Sequence, residues 1–156
     1  IIKCNAIVDP AMIRRLYQAS QAGVPIDLIV RGMCSLQPGV PGFSESIAVR
    51  SIVGRYLEHS RVFCFGQGDR ERFFIGSADL MERNLDRRVE AITPVKDPDL
   101  QDRLRNVLAI MRRDNRRAWT LGDDGDWTRV ETTTEGEPTI DTFEVLMEEA
   151  AASTGS

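Results

Sequence analysis

The first 32 residues constrain the fold more than any other part of the chain. Residues 1–8, IIKCNAIV, form a short apolar run rich in β-branched residues that reads as a strand and closes on Asp9-Pro10. An aspartate carboxylate satisfies free N–H groups at a helix N-cap, and proline fits the first helical position, where an N–H has no partner anyway. Met12, Ile13, Leu16, Tyr17 and Ala19 then recur at helical spacing, and Gly23 just before Pro25 stops the helix. A second apolar run of strand length, IDLIVRG at 26–32, follows. Two strands joined through such a helix are expected to lie parallel with a right-handed crossover. The fold class is therefore α/β. Ligands in open α/β sheets gather at the carboxyl ends of the strands, where this chain carries the long Pro- and Gly-containing loop 33–46.

The rest of the chain continues the mixture. Residues 47–59 carry two signals: IAVRSIV alternates like a strand, and VGRYLEH has the makings of a helix start. RVFCFG and ERFFIGS flank Gly66-Gln-Gly-Asp69, which predicts a β-hairpin, and RVEAITPV at 88–95 reads as a further strand. Asp97-Pro98 opens a long helix with Leu100, Leu104, Val107, Leu108 and Met111 on one stripe. The body is taken to span 1–120. Residues 121–156 complete a small hairpin between Trp119 and Trp127, then read as an acidic linker, TTTEGEPT, a short helix, FEVLMEEAAA, and a mobile end, AAASTGS.

Charge sharpens the division. The net charge of -4 and pI near 5.1 argue against a polyanionic partner. Residues 1–118, however, hold 17 Arg and 2 Lys against 14 acids, an excess of five positive charges, whereas 119–156 hold one Arg against 10 acids. Arginine grips phosphate or carboxylate oxygens with a planar fork, although a bias of the source genome accounts equally for its dominance over lysine. No run reaches the roughly 18 apolar residues needed to cross a bilayer. Cys4, Cys34 and Cys64 form neither a zinc-type pair nor a disulfide framework, which fits a reducing cytoplasm. The chain starts without Met in the middle of a strand-like run and reads as a piece of something longer.

His59, the one histidine, stands in Glu58-His-Ser-Arg61 directly before a predicted strand. Its side chain is suited to proton transfer near neutrality. One hairpin later, Gly76-Ser77-Ala-Asp79 ends another strand, where a small-residue turn can offer N–H groups and a hydroxyl to an anion. Histidine-x-basic followed by Gly-Ser-x-Asp resembles a phospholipase D half-site, with Arg61 in place of the usual lysine and Gly66 and Gln67 where an aspartate is common. Each residue also has a plainer reading. A lone histidine can be structural, Arg31 can be a solvated surface residue, Arg83, Arg87 and Arg88 can be an ion-paired face, and Ser77 can simply shape a turn.

The fuller string is more specific. Lys3-Cys-Asn5, Arg31-Gly-Met-Cys34, Glu58-His59-Ser-Arg61, Gly76-Ser-Ala-Asp79 and Arg83-Asn-Leu-Asp-Arg-Arg-Val-Glu90, in this order, resemble the C-terminal catalytic domain of the long-chain polyphosphate kinase family over residues 1 to about 120. The resemblance implies a phospholipase-D-like mixed sheet flanked by helices, here truncated. It implies transfer of the ATP γ-phosphate to polyphosphate through a phosphohistidine on a preceding domain, with His59 as acid or charge-stabilising partner. Arg31 and Arg88 match phosphate-contacting arginines; Arg61 joins them, and Gly76, Ser77 and Asp79 support the turn. Mg2+ is implied to arrive with ATP and the absent domain, with no metal held here. The implied partners are ATP, ADP, polyphosphate, the remaining domains and further copies of the protein, with weak membrane association. Nucleic acid is not expected. Two competing functions are a phospholipase-D-like phosphodiesterase or nuclease completed by dimerisation, and a non-catalytic polyanion-binding module. The shortage of aromatic residues, 6%, speaks against the latter.

Overall fold

A computed structural model describes residues 1–131 and 138–154. Its elements are β1 (Ile2–Cys4), α1 (Pro10–Gln21), β2 (Ile26–Val30), β3 (Ile47–Ile52), β4 (Val62–Phe65), β5 (Arg72–Gly76), α2 (Glu82–Asp86), β6 (Ile92–Val95), α3 (Pro98–Arg113), β7 (Ala118–Leu121), β8 (Trp127–Arg129) and α4 (Thr142–Thr154). The strands form one sheet in the order β6-β5-β4-β1-β2-β3-β7-β8. β1 and β2 are parallel, as the opening strand-helix-strand unit predicts, β3 joins β2 in parallel as well, and every other strand pairing is antiparallel. The expected mixed sheet flanked by helices is what forms.

Alternation along β2 shows why helices cover both faces. Leu28 and Val30 point to one side, where they pack with Ile13 of α1, and Ile29 points to the other, where it meets Leu108 and Met111 of α3. Each such side chain, fully buried, contributes about 1.5–3 kcal/mol. Both helices begin as the sequence predicts. Asp9 accepts from the Met12 N–H at 2.8 Å, and Asp97 accepts from Asp99 and Leu100 at 3.0 and 3.1 Å. Leu100 sits in that first turn and stays exposed, so the buried part of the α3 stripe starts further along. At the far end of α3, Arg50 Nη1 donates to the carbonyls of Met111 and Asp114, both at 3.2 Å, placing a cation where unpaired carbonyls collect.

Two predicted strands are shorter than their apolar runs. β1 ends at Cys4 because the Asn5 N–H leaves the ladder for the Asp79 carboxylate, 2.7 Å away. β6 begins only at Ile92, because residues 88–91 bend and Glu90 turns toward Ser77 and Asn84. Between β3 and β4, residues 53–61 form neither strand nor helix. Glu58 there turns inward to ion-pair with Lys3, a buried residue of β1.

The terminal hairpin extends the sheet, with Ile52 of β3 opposite Ala118 of β7. Buried Asp114 then gathers three parts of the chain. Its Oδ1 accepts from the N–H groups of Arg116, Arg117 and Ala118, and its Oδ2 from that of Thr142 at the start of α4. The helix expected in FEVLMEEAAA is α4, which runs to Thr154. TTTEGE of the linker-like stretch and the last two residues of the expected mobile end lie outside the described residues. No described helix is long and apolar enough to cross a membrane.

Candidate functional site

Strand directions bring the separate motifs to one edge of the sheet. β1 and β2 run parallel and end there, delivering Asn5 and Arg31. β4 is antiparallel to β1 and starts at that edge, so His59 and Arg61 precede it; β5 returns and delivers Gly76 to Asp79. β6 starts there in turn, preceded by Arg88 and Glu90. A cleft of about 520 Å³ opens at this edge, lined by Arg31, His59, Arg61, Arg83 and Arg88 together with Ser77, Asp79 and Glu90.

Asp79 organises the floor. Arg61 grips its carboxylate side-on, Nη2 to Oδ2 at 2.8 Å and Nε to Oδ1 at 3.3 Å, and the Asn5 N–H and side-chain amide add donors at 2.7 and 3.2 Å. Burial alone would raise the Asp79 pKa, but the Arg61 guanidinium and Asn5 donors outweigh it and hold the carboxyl below its ordinary range. Arg61 Nη1 also donates to the His59 carbonyl at 2.9 Å. Three of the five guanidinium N–H groups are thus committed, and the other two make no hydrogen bond among the described residues. The His59 backbone is further fixed from the other side, because Ser60 donates its N–H to Glu58 at 3.0 Å and Lys3 Nζ donates to the Ser60 carbonyl at 3.1 Å. The imidazole itself is exposed and makes no hydrogen bond among the described residues.

A second carboxylate, Glu90, fixes the opposite wall. It accepts from the Ser77 hydroxyl and from Asn84 Nδ2, and lies 3.7 Å from Arg88 Nε. The Ser77 hydroxyl donation comes first, then the Asn84 amide, in holding Glu90 below the ordinary carboxylate range. Ser77 Oγ accepts in turn from the Ala91 N–H at 3.1 Å. Gly76 has its own reason: a Cβ there would lie 2.7 Å from the Ala91 carbonyl oxygen, so only glycine lets the two segments close.

The arginines separate into two groups. Arg87 pairs with Glu82 at 2.8 Å, both largely exposed, and is the solvated ion pair that the sequence allows. Arg31 and Arg83 reach the cleft without any acidic partner among the described residues, and Arg31 Nη1 is buried with no acceptor. The cysteines are core residues. Burial pushes the Cys4 thiol up to about 12 and raises Cys34 and Cys64 as well, which leaves no thiolate nucleophile among them. The sequence places Asn84 and Glu90 inside the Arg83–Glu90 motif without giving either a role; the signal for their contact is that Ser77 and Glu90 stand at two strand ends joined by one connection.

A mixed sheet with a histidine and four arginines around a cleft at one edge defines an α/β domain with a strongly basic cleft. The family model "Polyphosphate kinase C-terminal domain 2" matches residues 1–140, and the chain belongs to that family. It is 57% identical to the polyphosphate kinase of Thermosynechococcus vestitus over 147 residues, 94% of this chain and 20% of that protein. Against the polyphosphate kinase of Pseudomonas aeruginosa the identity is 50% over 150 residues, 96% of this chain and 22% of the relative. The crystal structure of the Porphyromonas gingivalis polyphosphate kinase superimposes with a TM-score of 0.91 at 39% identity, covering 97% of this chain and 23% of that one. The chain thus spans about one fifth of the length of the curated relatives it matches.

Proposed function

We propose that this chain forms one wall of the phosphoryl-transfer site of an ATP:polyphosphate phosphotransferase. The carrying observation is that Arg31, His59 and Arg88, from three distant parts of the sequence, line one cleft. Transfer of a phosphoryl group needs in-line placement and neutralisation of charge on the nonbridging oxygens, and a well-placed arginine supplies about 10³ or more in rate. Arg31 and Arg88 bind phosphate oxygens in this reading, with the uncommitted Arg61 N–H groups beside them. His59 gives a proton to the oxygen that departs as the P–O bond to the transferred group breaks, a contribution of roughly 10² to 10⁴. The covalent phosphoryl carrier is a histidine outside this chain, since His59 is its one histidine.

Asp79 and Glu90, the carboxylates of the cleft, are already engaged by Arg61 and Asn5 and by Ser77 and Asn84. Neither is free to take a metal ion, so Mg2+ enters with the nucleotide phosphates. The test is ATP-dependent polyphosphate synthesis by the complete protein that carries this chain. His59→Ala is expected to lower the rate at least about a hundredfold, and wild-type synthesis by that variant would overturn the reading.

A further inference from the structure

The segment that carries His59, residues 53–61, is irregular and largely exposed, and most of what fixes it lies at its last four residues. Its first half is covered by a ring from a distant part of the chain. Phe143, in the first turn of α4, lies against Gly54: a Cβ built on Gly54 would be 2.5 Å from Phe143 Cδ2 and 3.0 Å from Cζ, with Cε2 nearer still. The same ring meets Tyr56 with centroids 6.2 Å apart and packs against the core cluster that contains Ile52, the last residue of β3. Glycine at 54 is therefore what lets the aromatic ring approach the backbone of this loop.

Phe143 is held there by contacts that do not involve the loop. Thr142 N–H donates to the buried Asp114 carboxylate at 2.8 Å, and the Phe143 N–H donates to Asp141, itself paired with Arg117 Nε at 2.7 Å. Further along α4, Glu149 accepts from Asn106 and pairs with Arg103, both on α3. α4 is thus moored to α3 at two points, and its ring reaches across to the site loop. The matched family domain stops at residue 140, two residues before this helix.

We propose that Phe143 is a positioning residue: docked on Gly54 and Tyr56, it holds the 53–61 loop in the conformation that presents His59 to the cleft. The inference rests on the phosphotransferase reading for its consequence on rate, but the contact itself is testable without it. In the complete protein, Phe143→Leu keeps an apolar side chain against the core and withdraws the ring edge from Gly54. Hydrogen exchange at the amides of 53–60 is expected to rise about tenfold, with the amides of β1, β2 and β3 unchanged. The kcat for polyphosphate synthesis falls about fivefold while the KM for ATP stays within twofold, because Arg31 and Arg88 are not displaced.

Gly54→Ala supplies the reciprocal test. It forces the ring away and should reproduce the Phe143→Leu phenotype, and the double variant Gly54→Ala/Phe143→Ala should be no worse than Phe143→Ala alone. Independent, multiplying losses would overturn the proposal, as would unchanged exchange at 53–60 in Phe143→Leu. Should Phe143→Ala loosen the strands as well, Phe143→Leu and Gly54→Ala still decide the matter. If His59→Ala retains full synthesis, the phosphotransferase role of His59 fails while exchange at 53–60 continues to judge the clamp.

Discussion

Arg61 and Asp79 meet side-on across the ends of β4 and β5, with Nη2 and Nε 2.8 and 3.3 Å from the two carboxylate oxygens and both side chains nearly buried. The pair joins the two chain motifs on which the site depends, the one around His59 and the Gly-Ser turn. Removing one member of such a buried pair leaves the other without compensation and costs about 3 kcal/mol. Asp79→Asn is expected to lower the unfolding free energy of the chain by that amount at neutral pH. Because folding holds the Asp79 pKa below its ordinary value of 3.8, the stabilisation is fully present above that value and is lost as pH falls through the folded pKa. Urea titrations at a series of pH values should show the gap between wild type and variant closing in acid; a constant gap would show that the charge is not its source.

Arg31 has the opposite character, since it reaches the cleft with no acidic partner among the described residues. Arg31→Ala should change stability by no more than about 0.5 kcal/mol. Binding of tripolyphosphate to the chain, measured by calorimetry, should weaken about tenfold or more, the value of a lost charge-assisted hydrogen bond. A large stability loss with unchanged binding would assign Arg31 to the scaffold instead.

Gly76→Ala places a methyl group against the Ala91 carbonyl oxygen, a backbone atom that cannot rotate away. The expected cost is about 1–3 kcal/mol, the usual range for overpacking. Amide resonances of Ser77 and Ala91, which are hydrogen-bonded across this approach, should shift more than those of β2. Wild-type stability and unshifted resonances would mean that the backbone opens there at no cost.

Lys3 is the buried ammonium of the central strand, and Glu58 is its partner. Lys3→Met should destabilise the chain by about 3 kcal/mol, because the carboxylate is left without its counter-charge. Adding Glu58→Leu should recover a good part of that loss in chemical denaturation. No recovery would place the stabilisation in packing of the lysine stem.

The strand-helix-strand opening, the hairpin around Gly66 and the capped α3 were all legible, because each is written in local spacing and capping residues. That Arg31, His59 and Arg88 stand at strand ends was legible as well, and they line one cleft. Where the reading stopped was at contacts between residues far apart in the chain. Nothing in the run IIKCNAIV says that Asn5 leaves the ladder for a carboxylate 74 residues later, and nothing in RVEAITPV says that Glu90 bends away toward Ser77. The option of a helix over VGRYLEH failed for the same reason: Glu58 is claimed by Lys3, and Gly54 lies under a ring from α4. Local propensity is a weak prior wherever tertiary partners compete for the same groups.

β1 is the shared neighbour of two halves of the sheet, β2 and β3 with β7 and β8 on one side, and β4, β5 and β6 on the other. Arg31 hangs from the first half, and Arg61 and Arg88 from the second. On the proposed reading, a polyanion in the cleft would span the seam and call for a molecule in which both halves have closed on the three residues of β1. By mass action such a ligand would stabilise the joined sheet as a whole, so that phosphate binding and the cooperativity of folding would be one measurement made at two ends.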